Sequence, residues 1–177
     1  MKKNKVLIAA GSLGLVSLAY LTLKKKNYSD VPVVTPFDVN RYLGHWYEIA
    51  RIDFKWEKNL NNTSARYTLN SDGTIHVINQ GWHEKKQEWQ TSVGKAKIRK
   101  KNTGALKVSF FGPFYDEYNV VEITPDYNHA LIFGKNTDYM WILSREKTVP
   151  EKVLQLFLLK AESFGYDIDD LVWPDQD

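Results

Sequence analysis

Between Trp46 and Ser144 the chain repeats one pattern eight times: a short run whose side chains alternate in character, then a cluster of turn-forming residues. A single segment of helical period follows. Alternation at period two marks a strand with one buried face, and strands joined by short turns pair antiparallel with their sequence neighbours. Such a sheet exposes two unpaired edges unless it closes on itself, and eight strands suffice for an up-and-down barrel that encloses one small ligand. The expected fold class is therefore all-β, an eight-stranded antiparallel up-and-down β-barrel with one C-terminal α-helix packed outside.

Asn40 to Leu43 reads as a one-turn helix, and Gly44 stands where the chain must turn tightly into the first strand. From there Trp46, Glu48, Ala50 and Ile52 share one face, and Tyr47, Ile49 and Arg51 the other. Asp53 to Asn62 breaks the alternation and reads as a long, partly apolar loop carrying Phe54 and Trp56. Further strands are expected at 63–70, 74–81, 87–100, 105–111, 117–124, 128–135 and 138–144, with Ser71-Asp72-Gly73 as a hairpin turn. The fourth is the clearest: Gly94, Ala96 and Ile98 point in while Lys95, Lys97 and Arg99 form a basic row outside, read as a solvated face rather than a lipid-headgroup patch. The last three are apolar on both faces, as the adjacent pairs Val120/Val121, Leu131/Ile132 and Trp141/Ile142 show, so something must cover them. Val153, Leu154, Phe157, Leu158, Ala161 and Phe164 supply that cover at helical spacing, after a capping-box pattern at Thr148 to Glu151 and before Gly165.

The N-terminus is a separate object. Residues 6–23 carry no charge and lie between lysine clusters, and as a helix they would span roughly 27 Å, enough to cross a bilayer core. The reading favours an uncleaved anchor over a signal peptide, because no small-x-small cleavage site follows. Residues 1–26 are thus read as an N-terminal hydrophobic helix, 27–36 as a linker and 37–177 as the folded domain. Six of the 24 basic residues and none of the 21 acidic ones lie in the first 26 positions, so the remainder is formally −3 although the chain is +3. Nucleic-acid binding loses its usual electrostatic support. The sequence has no Cys, which excludes disulfides, thiolate metal sites and a cysteine-linked lipid. Six Trp and ten Tyr call for a large core or a cavity to line.

Particular stretches carry a resemblance. Tyr42-Leu43-Gly44-His45-Trp46-Tyr47-Glu48-Ile49-Ala50-Arg51, the run from Ala105 to Tyr115, Tyr118-Asn119-Val120 and Asp138 to Arg145 together resemble the bacterial lipocalins of the Blc type, relatives of apolipoprotein D. The resemblance covers about Phe37 to Trp173. It implies that Arg145 packs across Trp46 with Gly44 beside them to close the floor, and that Asp126 and Tyr127 belong to the family's turn between strands six and seven, where Pro125 is an extra residue.

With that floor, the loops at 53–62, 82–88, 112–116 and 134–137 form the mouth. Phe54, Trp56, Phe114 and Tyr115 rim it. Carrying inward parity along each strand gives a lining of Ala50, Ala65, Tyr67, Ile75, Val77, Val108, Phe110, Tyr118, Val120, Leu131, Phe133, Tyr139 and Trp141, with Glu48, Asn79 and Glu122 as an inward polar cluster. The resemblance implies binding rather than catalysis: fatty acids or lysophospholipids held for storage or transport in the cell envelope, at the outer membrane or in the periplasm, often by a homodimer. No cofactor or metal is called for, and no Gly-x-Ser-x-Gly, metal cluster or phosphate loop marks an enzyme. A haem or pigment carrier is the alternative, followed by a lipid-modifying enzyme with the inward carboxylates as a catalytic pair; of the four His only His129 could face inward, near the floor. The family's typical bacterial member is anchored through a lipidated Cys. This chain would have to use its hydrophobic N-terminal segment instead.

Overall fold

A computed structural model describes residues 31–55 and 57–177. The expected N-terminal anchor and Trp56 lie outside the described residues. Among those described, no helix is long and apolar enough to cross a membrane. A single turn of helix, α1 (Val39–Tyr42), leads into β1 (Gly44–Ile52), followed by β2 (Leu60–Leu69), β3 (Ile75–His83), β4 (Glu88–Ile98), β5 (Ala105–Ser109), β6 (Asp116–Ile123), β7 (His129–Phe133) and β8 (Met140–Ser144). Helix α2 (Glu151–Ser163) comes next, then a 3₁₀ turn at Ile168–Asp170 and a two-residue strand, β9 (Leu171–Val172). Each of β2 to β8 pairs with its sequence neighbours, and β1 pairs with both β8 and β2, so the barrel is closed.

Helix α1 forms because the Asp38 carboxylate accepts from the Asn40 amide at 2.9 Å, a side-chain N-cap. Helix α2 starts differently from the sequence expectation. Pro150 occupies its N-cap with no side-chain hydrogen bond, and the Thr148 carbonyl accepts from Ser144 Oγ at 2.9 Å, so the capping box does not form. The helix is held by its apolar stripe instead, with Phe157 and Ala161 buried against the barrel. Residues 31–36, the described end of the expected linker, run along the barrel: Val34 N donates to Val120 O and Gly104 N to Val34 O, each at 2.9 Å.

The apolar side chains form two bodies, one inside the barrel and one between β1, β6 to β9 and α2. Two bulges decide which residue joins which. In β1 the register shifts between Glu48 and Ala50, so Ala50 turns outward beneath the helix. In β6 it shifts between Val120 and Glu122; Val120 stays inside, and Glu122 Oε2 instead accepts from Lys160 Nζ on α2 at 2.6 Å. The expectation that Glu122 points inward is corrected. On β7 it is Ala130 and Ile132 that face in, while Leu131 and Phe133 face out, Phe133 packing on Tyr166 with ring centroids 4.4 Å apart. Expected positions inside for Ala50, Leu131 and Phe133 are corrected likewise. Where both faces of a strand are covered, both read apolar and parity cannot be taken from the sequence.

Strand β2 diverges from β1 above the Tyr47 to Ser64 pair, and a bulge separates Asn61 from Ser64. The C-terminal tail fills the gap. Strand β9 pairs with Arg51 and Ile52, Asn62 N donates to Asp175 O at 2.7 Å, and Gln176 Nε2 donates to Glu48 O on one lip and Thr63 O on the other at 2.7 and 2.9 Å. The sequence showed no sign of this closure. Replacing Gln176 by Ala removes both amide bonds, and a loss of about 1–2 kcal/mol is expected in urea unfolding. Phe133→Ala, which empties a site under the helix, should cost about 3–5 kcal/mol while leaving the cavity wall intact.

Candidate functional site

The closed end is built around Trp46, fully buried at the start of β1. Its indole Nε1 donates to Tyr42 O at 2.8 Å, and the Arg145 guanidinium lies 3.8 Å above its ring. The same guanidinium donates to the carbonyls of His45 (2.6 Å), Arg41 (2.9 Å), Leu43 (2.9 Å) and Tyr42 (3.2 Å), meeting the C-terminal oxygens of α1 that the helix leaves unpaired. Gly44 adopts φ +99°, a conformation that favours glycine, and a Cβ there would stand 3.3 Å from Arg145 Nη1, a tight contact. In the turn after β6, Asp126 accepts from the Thr124 hydroxyl and from Asn128, which holds its carboxyl below the usual range, and Tyr127 (φ +63°) carries the Arg41 guanidinium 4.1 Å above its ring. Pro125 is accommodated within it, its carbonyl accepting from Arg41 at 2.9 Å.

Above this floor lies a cavity of about 260 Å³. Its walls differ. One is mainly apolar and aromatic, formed by Leu106, Val108 and Phe110 of β5 and its end, Tyr118 of β6, Trp141 and Leu143 of β8, and Phe54 and Tyr139 from the mouth loops, with Asp116, Glu117 and Lys135 also on this side. The other, on β1 to β4, carries Glu48, Thr63, Asn79, Gln90 and Ser92 beside Ala65, Val77 and Ala96. At its base Tyr118 OH lies 2.6 Å from Tyr42 OH and 3.0 Å from Tyr67 OH; burial pushes Tyr67 up to about 12 and keeps all three as neutral hydroxyls.

Near the mouth a charged cluster pins the β1–β2 loop. Arg51 is fully buried; Nη1 donates to Glu48 Oε1 at 2.7 Å, and Nη2 to the carbonyls of Glu57 (2.7 Å) and Leu60 (3.3 Å). Glu48 also accepts from Thr63 Oγ1 at 3.2 Å, and burial raises its pKa against the pull of Arg51. Glu57 Oε2 accepts from the Trp141 indole at 3.1 Å. Burial first, and then the charge of Glu48, lift Glu57 well above the carboxylate range. Phe54 packs edge-on against Tyr139 and Trp141, completing an inward-folded loop.

Of the residues singled out from the sequence, Phe54, Ala65, Tyr67, Val77, Val108, Phe110, Tyr118, Tyr139 and Trp141 line the cavity, as do Glu48 and Asn79. Ile75 and Val120 belong to the packed interior without bordering it. Phe114 is 79% exposed and does not border the cavity. Among those missed were Glu57, Thr63, Gln90, Ser92, Asp116, Glu117, Lys135 and Leu143; extending the Gly94/Ala96 parity back along β4 reaches Ser92 and Gln90, whereas no sequence signal marks Glu57 as an inward loop residue. No His borders the cavity among the described residues, and His129 is spent on Ser144 Oγ at 3.0 Å.

A raised folded-state pKa means that Glu57 holds its proton more tightly folded than unfolded. The resulting stability is complete below the ordinary carboxylate pKa and is lost as pH rises through the raised value. Glu57→Gln keeps an acceptor for Trp141 and cannot ionise, so it should be more stable than the parent near neutrality, with the gap closing toward about pH 4. Urea midpoints at the two pH values measure it.

The sequence profile of the Lipocalin-like domain matches residues 37–176. The chain is 47% identical over 147 residues to the "Outer membrane lipoprotein Blc" of Escherichia coli K12, covering 82% of this chain and 83% of that one. It is 31% identical over 156 residues to apolipoprotein D of Mus musculus, covering 82% and 80%. Among solved structures, insecticyanin from the tobacco hornworm Manduca sexta superposes with a TM-score of 0.66 at 22% identity, over 82% of this chain and 84% of that one, a likeness of fold.

Proposed function

Since the chain belongs to the lipocalins, a family of typically binding or carrier proteins for small hydrophobic ligands, we propose that its cavity carries a single-chain lipid, a fatty acid or a lysophospholipid, in the bacterial cell envelope. The observation that carries this reading is the cavity itself: closed below by Trp46, open above, and lined along β5 to β8 mainly by apolar and aromatic side chains. Its volume of about 260 Å³ lies just under the roughly 300–1,000 Å³ of small-molecule sites, which suits one acyl chain better than two. Each methylene buried there contributes about 0.8 kcal/mol.

The envelope location is supported by relatives named as outer membrane lipoproteins. Without a Cys to carry a lipid, the tether is the apolar stretch 6–23, which would keep the mouth near a bilayer and raise the local concentration of cargo. A homodimer is part of the same proposal. Native mass spectrometry of protein taken gently from its own cells should show retained masses of single-chain lipids. Val108→Trp, which fills the cavity from the apolar wall, should abolish them without loss of the folded state; retention of the same lipids by that variant would refute the reading.

A further inference from the structure

The two most exposed large apolar side chains among the described residues, Phe111 at 68% and Phe114 at 79%, share the loop between β5 and β6. Phe114 N donates to Phe111 O at 3.3 Å, so a single turn carries one ring at each end. Between them a Cβ on Gly112 would meet nothing within 4 Å, and the tip stands clear of the barrel. Phe111 also borders the cavity, which places this tip at the lip of the mouth. Cations lie directly beneath it. Lys97 of β4 and Lys107 of β5 stand opposite each other in the ladder, and both point outward because their neighbours Ala96, Leu106 and Val108 face the interior. Like charges so placed destabilise a sheet. No carboxylate offsets them: Asp116 is taken by Lys135 at 2.7 Å, Glu117 by Arg99 at 3.1 Å and Asp72 by Lys95 at 3.6 Å, and neither Lys97 nor Lys107 has an ion-pair partner among the described residues. The Tyr115 ring lies 5.1 and 5.2 Å from their ammonium groups, and since Tyr115 follows Phe114 it joins cations and apolar tip into one unit.

We infer that this unit docks the barrel on an anionic phospholipid bilayer, with Phe111 and Phe114 entering the boundary between headgroups and acyl chains and Lys97 and Lys107 meeting lipid phosphates just outside it. Apolar burial and attraction to anionic lipid add in such a contact, and an exposed apolar patch beside uncompensated cations offers both. The basic row of β4, a solvated face by alternation alone, here has an anionic counterpart. The path of the chain allows the pose. Val34 N bonds to Val120 O, four residues along β6 from Asp116 at the mouth, or about 13 Å. From Lys26, where the apolar segment's closing lysines end, to Val31 is five residues, about 17 Å of extended chain. On the lipid-carrier reading, on which the use of this contact rests, the mouth then opens at the headgroup layer and cargo passes over Phe111 without crossing water.

Because the chain has no Cys, Gly112→Cys takes a single nitrobenzoxadiazole label at the tip without removing either Phe, and Leu69→Cys takes one at the closed end, where β2 turns into β3. The full chain is mixed with vesicles of phosphatidylcholine alone or of phosphatidylcholine and phosphatidylglycerol in equal parts. On the mixed vesicles the tip label should shift to the blue and be quenched by a nitroxide carried on the acyl chains, far more than on phosphatidylcholine; the Leu69 label should stay aqueous on both. Phe114→Ser, or Lys97→Glu together with Lys107→Glu, should each lose the tip response in protein whose melting curve matches the parent's. A tip label that stays aqueous on the mixed vesicles, or a response equal on both compositions and indifferent to the two lysines, would overturn the inference. So would a blue shift that needs no vesicles and grows with protein concentration, since a second copy would then cover the tip. Flotation with the mixed vesicles but not with phosphatidylcholine supports docking and sinks the N-terminal tether. Tip insertion by protein that retains no lipid supports docking and sinks the carrier reading alone.

Discussion

Everything above the floor depends on the guanidinium of Arg145. A single planar cation covers the Trp46 indole and gathers four carbonyl oxygens from the α1–β1 entry, so that β8, α1 and the start of β1 meet at one point. This joins the last barrel strand to the first by something stronger than the ladder alone, since each charge-assisted bond is shielded by the indole beneath it. Lysine could place the charge but not the flat fork that faces a ring and several acceptors together. With the floor fixed, hydrophobic side chains above it need not meet across the axis, and room remains for a guest.

The walls were legible to different degrees. Where one face is wet, as on β4 with Lys95 and Lys97 outside and Ala96 inside, alternation in the sequence placed side chains correctly. Where a helix covers the outer face, both faces are apolar and the pattern carries no phase. Leu131 and Phe133 were therefore assigned to the wrong side of a correctly located strand. Ala50 and Glu122 were misplaced for another reason: a bulge inserts one residue and reverses every later assignment, and nothing in Glu48-Ile49-Ala50 or Val120-Val121-Glu122 announces it. The one-turn helix, Gly44, and the Trp46 and Arg145 pair were readable because each serves a local geometric demand or a motif.

The polar side of the cavity was only half visible. Glu48 and Asn79 follow from strand parity, but Glu57 enters from a loop whose fold depends on Arg51 reaching its carbonyl and Trp141 reaching its carboxyl, long-range bonds that no local pattern encodes. Together these bonds hold the loop folded inward over the mouth, and they spend the buried cation on the protein itself rather than on a ligand. The character of the site thus comes from a structural choice: the arginine stabilises the lid, and the cargo meets what is left over.

The barrel is not equally strong around its circumference. Between β1 and β2 the upper half of the wall is held by a borrowed side-chain amide and a short visiting strand in place of a continuous ladder. Such a joint can part without disturbing the floor or the other seven interfaces, and it lies beside Glu48 and Thr63 in the cavity wall. The chain's final residues are thus the fastener of this side of the cavity wall, as a clasp is of a purse.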